Sequence, residues 1–416
     1  MEDKLDRLPI IENLTIILEQ LNLENGIVFG IDASWGKGKT TFINLWEEYI
    51  KQKHQDFDII KFNAWENDDS GSPLLSFITE LDNAFPDTEL KELILESGKK
   101  IVKKIGWIAL EKMSQGILSE DISKINQKND LIKDEREKRM LKENFKKELT
   151  KLSENKKIIF FIDELDRCRP TYAIELLETI KHLFNIKNCI FIIAWDKSQL
   201  SHSIKTIYGN DMDSEGYLRR FIDLEYQLPE PNKVLYLKFL LEKEKLNDKY
   251  YPEFYSLLFG ILKVYDLSLR DVDKLIFYLK IQFFNYETKN LKDTYRYITS
   301  FLKGILSVIK LKNSVLYKKI RDKYYTNNDI NEILIELKID EIKKEINTEY
   351  RGIDERVTEI MKSFLLCYLE KEEYLQDKYI LFNKEGGWFG KEVCMKYFCG
   401  KNSIFTEIDF LENINN

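Results

Sequence analysis

Gly26-Ile27-Val28-Phe29-Gly30-Ile31-Asp32-Ala33-Ser34-Trp35-Gly36-Lys37-Gly38-Lys39-Thr40-Thr41 decides the fold class. Residues 26–31 form an apolar run too short for a helix, bounded by Asn25-Gly26 and a loop of small residues, so they read as a buried strand. Residues 33–40 are a phosphate-binding loop, with Ala33 where the first glycine usually stands, and helical spacing resumes over 39–53. Gly36 and Gly38 let the backbone turn its N–H groups toward a β-phosphate, and the helix N-terminus behind them adds a favourable dipole. Lys39 is placed to bridge the β- and γ-phosphates, and the Thr40 hydroxyl to ligate Mg2+. Ser34, Trp35, Gly36, Lys37, Gly38, Lys39, Thr40 and Thr41 are therefore the candidate nucleotide-binding residues.

Outward from this loop, residues 8–23 carry Leu8, Ile11, Leu14, Ile17, Leu18 and Leu21 at helical spacing, and 57–62 is a second buried strand. Two further apolar runs, 158–162 and 189–194, flank a helix expected at 171–184. Strand, helix and strand in alternation predict an α/β fold with a parallel sheet sandwiched by helices. The run Ile158-Ile159-Phe160-Phe161-Ile162 ends in Asp163-Glu164, the acidic pair expected of a Walker B element. Asp163 would hold Mg2+ and Glu164 would orient and deprotonate the attacking water. A plain alternative for Glu164 is a charge at the N-terminus of the next helix. Asp196, after the fourth run, stands where a γ-phosphate sensor would sit, or caps a helix beginning at Lys197. Arg219, Arg220 and Arg270 are candidates for the cation that completes the site, each with a surface ion pair as its alternative. Asp166 and Arg167, just past the acidic pair, are expected to pair with one another.

Residues 86–157 separate the two pairs of strands and contain no convincing strand. Residues 91–160 hold 18 Lys/Arg against 12 Asp/Glu, a basic insert in a chain of net charge −7. Its thin apolar stripe from Ile122 to Leu152 suggests a long solvated helix or a helical hairpin. Leu228-Pro229-Glu230-Pro231-Asn232 marks a boundary, after which the composition is helical until a turn at Lys384-Glu385-Gly386-Gly387-Trp388-Phe389-Gly390. The expected organisation is 1–85 and 158–231 as two halves of the nucleotide-binding core, 86–157 as a basic helical insert, 232–285 as a helical lid and 286–416 as a mostly helical C-terminal domain.

Composition narrows the function classes. A chain of 416 residues with 44% hydrophobic side chains buries more than one core. Its 17 Gly and 7 Pro exclude collagenous and linker-rich architectures, and its acidity excludes a uniform basic coat for nucleic acid. Five cysteines, none in a CxxC, indicate neither a disulfide framework nor a zinc ribbon and suit a reducing compartment, the cytoplasm. The acidic start, Met1 to Arg7, lacks the apolar core of a signal peptide. The most apolar long stretch, 98–118, is broken by six charged residues, so no membrane span is expected.

Trp35-Gly36-Lys37-Gly38-Lys39-Thr40-Thr41, Phe62-Asn63-Ala64-Trp65-Glu66, Phe161-Ile162-Asp163-Glu164-Leu165-Asp166-Arg167-Cys168, Ala194-Trp195-Asp196 and Ser268-Leu269-Arg270-Asp271 together resemble the KAP family of P-loop NTPases over about residues 5 to 285. The resemblance implies a P-loop core with an additional strand, a helical lid, ATP as substrate, and in prokaryotes a frequent role in defence against phage. Many relatives carry paired membrane spans between the two Walker elements, where this chain has its charged insert. The leading expectation is a Mg2+-dependent ATPase acting as a nucleotide-driven switch, as a homo-oligomer or with a partner protein. Its alternatives are a nucleic-acid-stimulated motor or clamp, gripping through the insert, and a scaffold that binds nucleotide with little turnover. A transporter-type ATPase lacks support because no LSGGQ-like signature is present, and the acidic pair suits water activation better than a kinase's substrate hydroxyl.

Overall fold

The computed structural model describes residues 2–86, 88–115, 124–154, 156–246, 252–284, 293–322, 324–326 and 329–349. The expected turn at 384–390, the cysteines at 367, 394 and 399, part of the insert and most of the C-terminal region lie outside them. The chain divides into two compact units, Met1–Pro231 and Asn232–Asn416.

The first unit is built on a five-stranded sheet of order β2-β3-β4-β1-β5, with β1 Ile27–Asp32, β2 Phe57–Asn63, β3 Lys157–Asp163, β4 Cys189–Trp195 and β5 Leu224–Gln227. Every pairing is parallel. The strand bearing the phosphate loop and the strand bearing the acidic pair are not neighbours, because β4 is inserted between them. Continuous apolar runs arise here from burial on both faces. Ile158, Phe160 and Ile162 point to one layer, formed by α3 (Pro73–Ala84), α6 (Pro170–Leu183) and the insert; Ile159 and Phe161 point to the other, formed by α1 (Leu8–Gln20) and α2 (Lys39–Lys53). Phe160 stacks on Phe191 at 4.5 Å in the first layer, and Trp46 lies edge-on to Phe29, Phe42 and Phe161 in the second.

The insert contributes α4 (Glu89–Gln115) and α5 (Lys124–Leu152). Gly98 faces Phe145 while Lys104 pairs with Glu137 at 2.9 Å, so the two helices run antiparallel. Among the described residues no helix is long and apolar enough to cross a membrane. After β4 come α7 (Lys197–Tyr208) and α8 (Ser214–Leu218).

Helix α1 ends without a glycine cap, and its last carbonyls are satisfied from the sheet instead. Lys157 Nζ donates to the carbonyls of Leu18, Glu19 and Leu21 at 2.8, 2.7 and 2.9 Å. A cation at a helix C-terminus also opposes the macrodipole. Lys157→Met is expected to cost about 2 kcal/mol, since charged hydrogen bonds contribute about 1.5–3 kcal/mol each and the freed carbonyls regain water. A urea titration followed by tryptophan fluorescence checks this, and a midpoint equal to that of the wild type would show that the cap contributes nothing.

The second unit is helical throughout its described residues: α9 (Lys233–Lys243), α10 (Pro252–Val264), α11 (Leu269–Phe284), α12 (Asp293–Lys312), α13 (Ser314–Arg321), α14 (Ile330–Glu336) and α15 (Ile339–Glu349). Its core gathers Leu240, Ile261, Leu275, Leu306 and Ile342, among others. Tyr265 ties α10 to the end of α14 by donating its hydroxyl to the Leu337 carbonyl at 2.9 Å.

Candidate functional site

In a parallel α/β sheet, ligands bind beyond the carboxyl ends of the strands. Asp32, Asn63, Asp163 and Trp195 end β1 to β4 there, and the motif residues follow them. Ala33 N donates to the Trp195 carbonyl at 3.2 Å, pinning the start of the phosphate loop to the end of β4. Gly36 and Gly38 stand at φ 79° and 84°, left-handed values that cost a side chain and explain why glycine occupies both. Gly38 N-caps α2, so the loop feeds directly into the helix. Lys39, the first residue of α2, is buried; its Nζ donates to the Ala33 carbonyl at 2.6 Å and lies 3.7 Å from Asp166 Oδ2. That same oxygen of Asp166 accepts the Trp35 indole N–H. Ser34, Trp35 and Thr40 are exposed, and Thr41 is half-buried. The Lys37 ammonium pairs with the Glu230 carboxylate beyond β5.

Asp163 is buried opposite Asn63 in the β2–β3 register. Its Oδ1 accepts the Glu164 N–H at 2.8 Å, and its Oδ2 carries no hydrogen bond among the described residues. Glu164 adopts a left-handed conformation, φ 63° and ψ 25°, uncommon for a non-glycine residue. It stands at the N-cap of the short 3-10 turn Leu165–Arg167 without a side-chain capping bond, and the N-cap of α6 is Arg169. Its carboxylate meets Arg167 Nη1 at 2.5 Å, and the Arg167 guanidinium lies 5.5 Å from the centroid of the Trp65 ring. The expected pairing of Asp166 with Arg167 is thus absent. The tight turn after β3 sends the two side chains apart, Asp166 to the phosphate loop and Arg167 back to Glu164.

The turns that follow β2 and β3 are bound to one another. Arg169 donates through its backbone N–H and its Nε to the Asp68 carboxylate, both at 2.9 Å. Asn63 Oδ1 accepts the N–H groups of Trp65 and Glu66 at 3.1 and 3.2 Å, closing the turn that carries Trp65. Burial, with Asp68, Asp166 and Glu164 nearby, pushes the Cys168 thiol up to about 12, which favours the thiol over the thiolate.

Asp196 does two things at once. Its Oδ1 caps α7, accepting from Ser198 Oγ at 2.7 Å and Gln199 N at 3.2 Å, while Oδ2 accepts the Trp35 N–H at 3.2 Å. Asp32 and Arg7 are site neighbours that sequence reasoning missed. Asp32 accepts the Lys197 N–H at 3.0 Å, and burial raises its carboxyl above the usual range against that hydrogen bond. Arg7, buried ahead of α1, donates to the Pro229 carbonyl at 2.7 Å, one residue before the partner of Lys37. The signal for Asp32 was its place as the last residue of a buried strand; Arg7 offered none.

The arginines stand apart from these contacts. Arg219 ends α8 with its side chain 70% exposed and 3.9 Å from Glu215. Arg220 is exposed and makes no ion pair among the described residues. In the second unit Ser268 and Asp271 cap α11 reciprocally: Ser268 N donates to Asp271 Oδ2 at 2.9 Å and Asp271 N to Ser268 Oγ at 3.2 Å. That capping box leaves Arg270 exposed on the first turn.

The Thr40 hydroxyl and the Asp163 carboxylate are hard oxygen donors, the set that suits Mg2+ carried in with phosphates.

The chain is 22% identical over 255 residues to the phage T7 exclusion protein of Escherichia coli (strain K12), covering 55% of this chain and 34% of that protein. It thus spans about a third of the length of that curated relative. Among solved structures, the Aeropyrum pernix ORC2 protein in its ADPNP-ADP complexes is similar at TM-score 0.38 and 11% identity, covering 88% of this chain and 86% of that one. C. elegans PCH-2 is similar at TM-score 0.32 and 11% identity, covering 75% and 72%. The sequence model of the KAP family P-loop domain matches residues 7–283, and the chain belongs to that family.

Proposed function

We propose that the chain binds Mg2+·ATP in the loop 33–40 and hydrolyses it as a nucleotide-driven switch. The observation that carries this reading is the junction of the two elements. Lys39 reaches across β4 to within 3.7 Å of Asp166, two residues past the acidic pair. Lys39 neutralises charge on the β- and γ-phosphates, and Asp196 and Asp166 hold Trp35, and with it the loop, against the ends of β4 and β3. Glu164 accepts the proton of the attacking water. Thr40 and Asp163 would hold Mg2+, which would supply charge neutralisation at the phosphate oxygens. By analogy with the relative named for exclusion of phage T7, the switch serves antiviral defence in the cytoplasm.

The helical insert supports a second reading, stimulation by nucleic acid. Lys138, Lys142 and Lys146 form an i, i+4 ladder on α5, and burial together with the flanking lysines lowers the Lys142 ammonium below its usual range. A polyanion relieves that repulsion, and stimulation of turnover by single-stranded DNA, lost as salt rises, tests it.

Completion of the site by Arg219 or Arg220 from a second copy fits their exposure. Specific activity is then expected to rise with protein concentration, together with the mass measured by light scattering in ATP. Constant activity from a monomer would leave Arg270 as the cation and remove assembly from the mechanism.

A further inference from the structure

We propose that Arg167 restrains Glu164, and that Trp65 holds the restraint in place, so that the chain turns over more slowly than its acidic pair allows. This rests on the reading of Glu164 as the group that activates water. The left-handed turn at Glu164 folds the chain back on itself: Arg167 N donates to the Glu164 carbonyl at 3.1 Å and Arg167 Nη1 reaches Oε1 at 2.5 Å. Arg167 is not drawn off by Asp166, the acid beside it in sequence, because Asp166 is occupied by the Trp35 indole and lies near Lys39.

The sign of the effect follows from charge. Before reaction Glu164 is an anion and its attraction to Arg167 is at full strength. As it accepts the water proton that charge disappears, and the attraction weakens with it. An interaction stronger in the ground state than in the transition state raises the barrier. One carboxylate oxygen is also engaged by the guanidinium rather than free to accept a water proton.

Trp65 supplies the second half of the device. Trp65 is 53% exposed, yet its turn is fixed by Asn63 and by the Arg169–Asp68 bonds. The indole face therefore stands under the Arg167 guanidinium and favours the position that reaches Glu164 over release into solvent.

The test is steady-state hydrolysis of Mg2+·ATP by the full chain, with kcat and KM resolved and the folded state of each variant confirmed by thermal melting. Arg167→Ala is expected to raise kcat about fivefold, the factor that one partly exposed ion pair supplies, with KM unchanged. Trp65→Ala is expected to raise it about twofold, and Arg167→Lys to fall between wild type and Arg167→Ala, since lysine keeps the charge and loses the flat stacking face. In a Glu164→Gln background, Arg167→Ala is expected to change nothing, because the neutral amide has no charge to restrain. Should Arg167→Ala prove unfolded, Arg167→Gln is judged by the same criterion. A wild type that hydrolyses ATP while the Arg167 variant is equal or slower overturns the restraint alone. A wild type no faster than Lys39→Ala overturns both the restraint and the hydrolytic reading beneath it.

Discussion

Lys39→Ala is expected to lower the affinity for Mg2+·ATP by at least about 100-fold, because charge-assisted hydrogen bonds to two phosphates contribute about 1.5–3 kcal/mol each. The side chain is buried and aimed by the Ala33 carbonyl at 2.6 Å, so no neighbouring cation is set to replace it. Lys37 is the nearest lysine in sequence, and its ammonium is held by Glu230. The substitution leaves Asp166 without the cation 3.7 Å away but still bonded to the Trp35 indole, so the fold is expected to survive. Calorimetric titration checks the affinity and a thermal melt checks the fold. Wild-type affinity in a folded variant would mean that the loop 33–40 is not where the phosphates bind.

Glu164→Gln is expected to reduce hydrolysis by at least about 100-fold while ATP binding persists, the effect of removing a general base worth about 10²–10⁴-fold. Glutamine keeps the length of the side chain and leaves the Glu164 N–H bonded to Asp163, so the donor set for Mg2+ is undisturbed. It cannot take the proton of water. The variant is expected to stall with ATP bound, detected as nucleotide retained through gel filtration. If Arg219 or Arg220 acts across subunits, the stalled form is also expected to accumulate as an oligomer, and mixing it with an Arg219→Ala/Arg220→Ala variant to restore only a fraction of sites. Turnover near the wild-type rate would shift the proton acceptor away from Glu164.

Strands β1, β3 and β4 announced themselves in the sequence because both of their faces are buried, and β2 by its apolar Phe57, Ile59, Ile60 and Phe62; β5 did not. β5 is a four-residue edge strand, largely exposed, and its Leu-Glu-Tyr-Gln sequence carries no apolar run. What places it is backbone bonding to β1, with Asp223 N donating to the Val28 carbonyl and Leu228 N to the Asp32 carbonyl, each at 2.9 Å. A sequence pattern does not encode a pairing of that kind. The same distinction runs through the site. That Lys39 and Thr40 open α2, and that Asp163 ends β3 with Glu164 next, was legible because the apolar runs and the glycine loop fix the order of strand, loop and helix. The destination of Arg167 was not, because it depends on the left-handed turn at Glu164, which a glutamate does not advertise. Nor was the role of Asp166, since its contacts with Trp35 and Lys39 join segments more than 120 residues apart. The Asn-Ala-Trp segment was distinctive in sequence and acquires its physical reason only from the turn that Asn63 closes and the guanidinium that Trp65 faces.

Release of inorganic phosphate from Mg2+·ATP by the wild type, Lys39→Ala and Glu164→Gln, measured side by side at equal protein concentration, bears most directly on ATP hydrolysis between the loop after β1 and the acidic pair at the end of β3. Wild-type release exceeding that of both variants by about 100-fold is expected, with only Glu164→Gln retaining bound nucleotide. Equal release from all three would contradict it.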